Sequence, residues 1–411
     1  MLEALQSVKQ AVQKIKANDA LFSILQSPER VVELRLPLRR DKGKVVVYRA
    51  FRVQWNSALG PYKGGIRYHE SVSREEVELL ALLMTLKCSL MGLPYGGGKA
   101  GVIVNPKELS SRELEALTRA LARGLADMIG EHKDVPAPDV GTTPEIMRWF
   151  QDEYARMTGN RSLAIVTGKP LNRGGSQGRT EATGYGGFII LKELLKIKNK
   201  KSKIKNAPTI ALQGFGNVGY YFAREAYKSG YRIIAISDST GGIVHPKSLD
   251  PDEVMKWKEK HGSVKGFPGT RTITQGELLT LPCDVLVPAA LENQITNTNV
   301  AKVRAKVVLE LANGPVASQA SKKLWKKGIP VVPDILANGG GVTVSFFEWK
   351  QNLLREHWAK KAVLLKLETY MKRALAQVIA TQRKYHTDMR EASYIVAVSR
   401  IAKALKEKGV I

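Results

Sequence analysis

Cysteine is scarce in this sequence, and its absences narrow the field before any motif is read. Cys88 and Cys283 stand far apart, with no CxxC partner and no histidine at zinc-ligand spacing. That argues against a disulfide scaffold and predicts reduced thiols in a cytoplasmic protein. The six histidines form no HExxH or related cluster, so no metal site is expected. No apolar run reaches the roughly 18 residues that suggest a membrane helix, so no membrane partner is expected. The N-terminus has neither the apolar core of a signal peptide nor an Arg-rich transit segment. Leu2, Leu5, Val8, Val12 and Ile15 fall instead along one face of an amphipathic helix. Acidic residues are few against basic ones, 38 to 64, for a formal net charge of +26.

That charge invites a nucleic-acid reading. The densest basic run, KELLKIKNKKSKIKN from Lys192 to Asn206, carries no interleaved aromatics. No helix-turn-helix, KH or RRM pattern accompanies it. The run reads as a solvated lysine-rich connection ahead of a strand, and no nucleic-acid partner is expected. Retention on DNA at physiological ionic strength, lost with added salt, would contradict this.

What is present suffices for two cores. The chain has 411 residues, 44% of them apolar, which is too long for one hydrophobic core. RVVELRLPL and KVVVYRAFRVQW read as strands joined by the turn DKG. SREEVELLALLMTLKCSLMGL reads as a helix opened by Ser73, with Glu76 at the capping-box spacing. SRELEALTRALARGLADMIG is a second amphipathic helix. The Gly-rich stretch TGKPLNRGGSQGRTEATGYGG marks a hinge or domain boundary. Beyond it, PTIALQ, YRIIAIS, CDVLVPAA, AKVVLEL and IPVVPDI alternate with helical stretches, which predicts a parallel sheet with crossover helices. From about Phe346 to Lys408 the chain is mostly helical.

Strand PTIALQ runs into Gly214-Phe215-Gly216-Asn217-Val218-Gly219, and a helix follows. Alone, GxGxxG is weak evidence; between a strand and a helix it predicts a dinucleotide site. The first Gly permits the tight turn, the second admits the pyrophosphate, and the third lets helix pack on strand. The helix start then offers free N–H groups to phosphate. The next strand ends at Asp238, close to the spacing of a ribose-binding carboxylate, which favours NAD. Ser237, Ser239, Thr240 and the nearby Lys247 leave NADP open.

Three lysines stand in unusual settings. Lys63 lies in GPYKGGIRYH among glycines. Lys87 interrupts the otherwise apolar helix row Val77, Leu80, Met84, Met91. Lys99 ends Gly96-Gly97-Gly98. Singly, they read as a turn lysine, a snorkelling helix residue and a phosphate-loop lysine without P-loop spacing. Drawn into one desolvated cleft, they would lower one another's pKa, which turns a lysine into a base near neutral pH.

LPYGGGKAGVIVNP resembles the signature of the glutamate/leucine/phenylalanine/valine dehydrogenases. GPYKGGIRYH, MTLKCSL, VPAPDVGT, GGSQGRTEATGYG, GFGNVG, ELANGP and NGGGVTVSFFEWKQN follow the family's order, so the resemblance spans nearly the whole chain. It implies that Lys99 is the general acid/base, assisted by Asp139. Lys87 would hold the substrate α-carboxylate. Lys63 and Ser345 would hold the side-chain carboxylate, with Ala137 and Val342 lining that pocket and Met84 nearby. Arg179, Thr183, Asn313 and Asn338 would stand near the cofactor. The chain departs from the family at Gly339, where alanine is usual, and at Leu311, where glycine is common.

The expected fold is α/β, with two domains about a cleft. Residues 1–177 form an α/β substrate and oligomer domain; 178–385 form a Rossmann-type, doubly wound dinucleotide domain. The resemblance implies that the last helix, near 386–411, packs back on the first. The resemblance implies a homohexamer that converts glutamate, by hydride transfer to NAD or NADP, through an iminium ion to 2-oxoglutarate and ammonium. Closure at the Gly-rich hinge would exclude water from hydride transfer.

Overall fold

The computed structural model describes residues 1–199 and 207–411. Residues 200–206 of the lysine-rich run lie outside the described residues. The chain divides into two compact units. One comprises Met1–Arg179, Val342–Val363 and Tyr394–Ile411; the other comprises Thr180–Gly341 and Leu364–Ser393.

The first unit is built on a five-stranded sheet. Its strands are β1 (Arg30–Arg39), β2 (Val45–Asn56), β3 (Tyr62–His69), β4 (Gly97–Ile103) and β5 (Asp134–Pro138), in the order β1-β2-β4-β3-β5. β1 and β2 are the two strands expected on either side of the turn DKG, and they pair antiparallel in register from Arg30↔Gln54 to Arg39↔Val45. β4 runs antiparallel to β2, whereas β3 is parallel to both β4 and β5. Helices Ser111–Leu125 and Pro144–Thr158 bury Leu117, Leu121, Ile146 and Phe150 against Leu36, Ile66, Tyr68 and Val102 of the sheet.

Ser110 and Glu113 close a full capping box on the first of these helices. On helix Arg74–Met91 only half of the predicted box forms. Ser73 Oγ accepts from the Glu76 N–H at 3.2 Å, but the Glu76 carboxylate pairs with Arg67. A guanidinium within reach is a stronger partner for a carboxylate than one more backbone N–H. The far end of this helix is held within the same unit. Ser89 Oγ donates to the Ala397 carbonyl at 2.7 Å, and Arg400 donates to the Leu90 carbonyl at 2.7 Å.

The second unit carries a seven-stranded, doubly wound sheet of order β12-β11-β10-β6-β7-β8-β9. These are β6 (Thr209–Gln213), β7 (Arg232–Asp238), β8 (Gly241–Val244), β9 (Arg271–Ile273), β10 (Val285–Pro288), β11 (Val307–Leu309) and β12 (Val331–Val332). The five predicted strands are parallel neighbours. β8 and β9 add an antiparallel edge that the sequence pattern did not announce. Strand order reverses between β6 and β10, the place where open α/β sheets bind ligands at their carboxyl ends. Among the described residues no helix is long and apolar enough to cross a membrane.

Candidate active site

The triple glycine before Lys99 serves close packing of a strand against a helix. A Cβ on Gly97 would fall 2.6 Å from the Ala81 carbonyl and closer still to Thr85, both on helix Arg74–Met91. Any side chain there would push β4 off the helix that carries Met84 and Lys87. Lys99 therefore enters the sheet opposite Val53, with its side chain buried. Its ammonium donates to Asp139, whose other oxygen accepts from Arg67 Nε at 2.8 Å. Asp139 follows β5 directly, and its N–H is fixed by Thr142 Oγ1 at 2.7 Å. Gly65 makes room for it, since a Cβ there would lie 2.8 Å from the Asp139 Cβ.

Burial sets the ionisation of this pair. It lowers the Lys99 pKa below the ordinary lysine value, opposed by Asp139 and assisted by Arg67 and Arg52. Burial also works to raise the Asp139 pKa, but the charges of Lys99 and Arg67 outweigh it. The carboxyl is thus held below the usual range. An ionised acceptor beside a lysine of depressed pKa is suited to moving a proton.

Lys63, on β3, is 1% exposed, and its ammonium has no hydrogen bond or ion pair among the described residues. Burial pushes its pKa down to about 7; Arg52 and Arg179 act in the same direction, and Glu348 opposes. The neighbouring Cys88 thiol is itself pushed up to about 12 by burial and supplies no charge. Glu348 is already engaged. It pairs with the buried Lys169 at 2.8 Å and accepts from the Gly168 N–H at 2.8 Å. A buried cation with no direct counter-ion fits an anionic ligand.

Ser345 is buried on helix Gly340–Leu354 and accepts from Arg179 Nε at 3.2 Å. Ala137 is buried on β5 opposite Gly65, and half-buried Val342 stands three residues before Ser345. Met84 and Lys87 are half-buried one turn apart. The structure thus ties Lys99 to Asp139, and Arg179 to Ser345, with Lys63 feeling Arg179 and Glu348.

Sequence reading missed four neighbours. Arg67 orients Asp139, Glu348 pairs with Lys169, and Arg52 lies near both Lys63 and Lys99. Thr167 keeps a buried hydroxyl without a partner among the described residues, beside β5 through its N–H to the Pro136 carbonyl. Charged residues inside apolar stretches, Arg52 in FRVQW and Glu348 in SFFEW, were the available signal.

In the second unit the glycine fingerprint fits a pyrophosphate. Gly214 has φ +96°, and a Cβ there would fall 2.8 Å from the backbone of Ala289, just after β10. Gly216 is exposed with open space around it, and a Cβ on Gly219 would strike the Gly214 carbonyl. Helix Asn217–Lys228 starts with no side-chain cap and no acidic residue in its first turn, leaving the N–H groups at its start for phosphate. Phe215 is buried and Val218 half-buried. Asn217 donates to the Thr180 carbonyl at 2.7 Å, three residues before Thr183.

Asp238 does end β7, but its carboxylate is largely committed inward. One oxygen accepts from the Thr240 N–H (2.9 Å) and hydroxyl (2.7 Å), the other from the Val264 N–H (2.8 Å). Burial would raise its pKa, yet these bonds hold it below the ordinary value, so the negative charge stays. The lysine whose charge reaches it is Lys258, not Lys247. Lys265 lines a cavity of about 310 Å³ with Ser239, Thr240, Thr272, Thr274 and Glu277.

Asn338 donates to Asn313 Oδ1 at 3.1 Å and, more weakly, to the Leu311 and Ala312 carbonyls. Its own Oδ1, in a residue 8% exposed, lacks a partner among the described residues. Leu311 turns its side chain over Gly187, which has no Cβ to obstruct it.

Residues 28–156 match the Glu/Leu/Phe/Val dehydrogenase dimerisation domain, and residues 174–409 match the Glutamate/Leucine/Phenylalanine/Valine dehydrogenase family. A glutamate dehydrogenase of Thermotoga maritima is 45% identical over 411 residues, with 99% of this chain and 97% of that one covered. An NAD-specific glutamate dehydrogenase of Clostridioides difficile is 42% identical over 410 residues, with 98% and 96% covered. Among solved structures, the hetero-hexameric glutamate dehydrogenase of Thermus thermophilus in a leucine-bound form superimposes with a TM-score of 0.93. It is 34% identical, with 99% of this chain and 96% of that one covered.

Proposed function

The chain belongs to the glutamate/leucine/phenylalanine/valine dehydrogenase family, and on that premise we propose that it is a glutamate dehydrogenase using NAD. It interconverts L-glutamate with 2-oxoglutarate and ammonia. The observation that carries the substrate assignment is Lys63, a buried ammonium with no counter-ion among the described residues, which the distal carboxylate of glutamate supplies. Ser345 shares that carboxylate, beside Ala137, Val342 and Met84, and Lys87 holds the α-carboxylate. A nicotinamide cofactor, its pyrophosphate held at Gly214, Gly216 and the start of helix Asn217–Lys228, would supply the hydride acceptor for the substrate α-carbon. Lys99 in its neutral form takes a proton from the water that attacks this carbon, and as the ammonium it returns a proton to the leaving amine. Asp139 stays ionised and steadies the lysine in both states. Arg179 orients Ser345, and Thr183, Asn313 and Asn338 serve the cofactor side.

The family's dimerisation domain and a hexameric relative support a homo-oligomer, proposed as a hexamer. Buried free thiols at Cys88 and Cys283 support a cytoplasmic setting. The direct test is oxidation of NADH with 2-oxoglutarate and ammonium. Turnover requiring all three is expected; none would overturn the assignment.

Asp238 keeps its charge near the ribose end of the site, so NADH should exceed NADPH in kcat/KM. Asp238→Asn should narrow the gap, mainly by improving NADPH, because it removes the charge that repels a 2′-phosphate while Lys258 and Lys265 remain. A native preference of about tenfold or more for NADPH, some 1.4 kcal/mol, would show that the hydroxyls and Lys265 outweigh the carboxylate.

A pH dependence follows from Lys63. In the free protein its pKa is about 7, so above that pH the amine is mostly neutral. A bound dicarboxylate supplies the missing counter-charge and raises the pKa, so binding takes up a proton. Calorimetry of glutarate binding at about pH 8, in buffers of different ionisation enthalpy, should register this uptake. Lys63→Leu should abolish it; proton release, or equal uptake in the variant, would count against the assignment.

A further inference from the structure

β2 and β5 are not neighbours: β4 and β3 lie between them. Yet Arg52 of β2 reaches Asp134 of β5 with a two-pronged guanidinium contact, Nε to Oδ2 at 2.9 Å and Nη2 to Oδ1. Gln54, also on β2, adds a third donor to Oδ2 at 2.8 Å. On its way the guanidinium crosses the two intervening strands beside the functional lysines. Nη1 donates to the Gly64 carbonyl at 3.3 Å, next to Lys63, and a Cβ on Gly98, next to Lys99, would lie 3.2 Å from Nη2. Arg52 is 1% exposed and Asp134 0%.

We propose that Arg52 and Asp134 are positioning residues for the reaction, a buried strap that fixes the spacing of Lys63 and Lys99 and keeps a positive charge beside both. This rests on the roles given above to those lysines. Stability alone is a poor reason for such a pair, since well-packed apolar residues often replace a buried ion pair without loss. A planar, two-pronged cation spanning strands does what an apolar contact cannot, which is to hold direction as well as distance.

The charge arm is visible in the lysines' surroundings. Lys63 faces Arg52, Arg179 and Glu348, with Cys88 neutral; Lys99 faces Asp139, Arg67 and Arg52. Burial is the main cause of both depressed pKa values, and Arg52 adds to it at each site. Asp134 tempers that contribution by pairing with it.

The signs follow. Arg52→Gln removes the positive charge, so both lysine pKa values rise. Asp134→Asn leaves the guanidinium uncompensated, so both fall. In glutamate deamination the acid limb of kcat/KM reports the base, Lys99, and the alkaline limb the carboxylate-binding Lys63. Both limbs should therefore move upward in Arg52→Gln and downward in Asp134→Asn, each by about half a pH unit or more. Arg52→Lys keeps the charge without the fork. It should leave the limbs in place while kcat falls by about tenfold or more through misplacement. A role in stability alone would lower melting temperature without moving the limbs in opposite directions. Native limbs in both Arg52→Gln and Asp134→Asn, or shifts of one sign, would overturn the proposal. So would native kcat in Arg52→Lys, or failure of both near-isosteric variants, Arg52→Lys and Asp134→Asn, to fold. Failure of the functional assignment itself would appear separately, as absence of glutamate turnover by the native enzyme.

Discussion

Lys99→Ala should lower kcat for glutamate deamination by about two to four decades, the range for losing a positioned general acid/base. The ammonium is buried, is bonded to Asp139, and has a pKa depressed by burial, so it gives up its proton more readily than an ordinary lysine. Alanine removes the group and leaves a space bounded by Asp139 and Gly98. KM for glutamate should change far less than kcat, because the roles proposed above give the carboxylates to Lys63, Ser345 and Lys87. Added small primary amines should restore part of the rate by entering that space. Folding is not at risk from backbone strain, since Lys99 sits in a regular strand opposite Val53. Near-native turnover in Lys99→Ala would remove this residue from the mechanism.

Much of this site was legible because its sequence signals are local. Two strand-like runs about the turn DKG gave the β1–β2 pair, and Ser73 marked a helix start. Glycines between a strand and a helix gave the dinucleotide turn. What stayed hidden depends on neighbours distant in the chain. The glycines before Lys99 read as a loop, yet their cause is helix Arg74–Met91, pressed against β4. Glu76 has the spacing of a capping partner but meets Arg67 in space. Asp238 stands where a ribose-binding carboxylate is expected, and only the fold brings Val264 to one of its oxygens. Arg52 and Asp134 are 82 positions apart and find each other only after two other strands have paired between them. Nothing in the periodicity of Val342–Val363 tells that it joins the first unit.

Substrate choice should turn on Lys63. Leucine, valine and phenylalanine carry no distal anion, so each would leave this ammonium buried and unpaired. An unsatisfied buried donor costs at least about 1–3 kcal/mol, and more when it is charged. Neutralising the amine is the escape open to the protein, since its pKa in the free state is already about 7. That escape limits the penalty for apolar substrates but gives them nothing in return, whereas glutamate gains a charge-assisted contact in a dry setting. A site built to pair with a substrate group can reject analogues lacking it by about four decades or more. Glutamate should therefore be strongly preferred over the three apolar amino acids in kcat/KM. Lys63→Leu should erode the preference mainly by losing glutamate activity. A modest rise with leucine can accompany it as the pocket turns apolar, although the buried Ser345 hydroxyl still faces desolvation. The measurement is kcat/KM for deamination of each amino acid by the native and variant enzymes at a pH near 7, where Lys63 is partly protonated before substrate arrives. Comparable native rates on leucine and glutamate, or an unchanged ratio in Lys63→Leu, would detach Lys63 from the distal carboxylate.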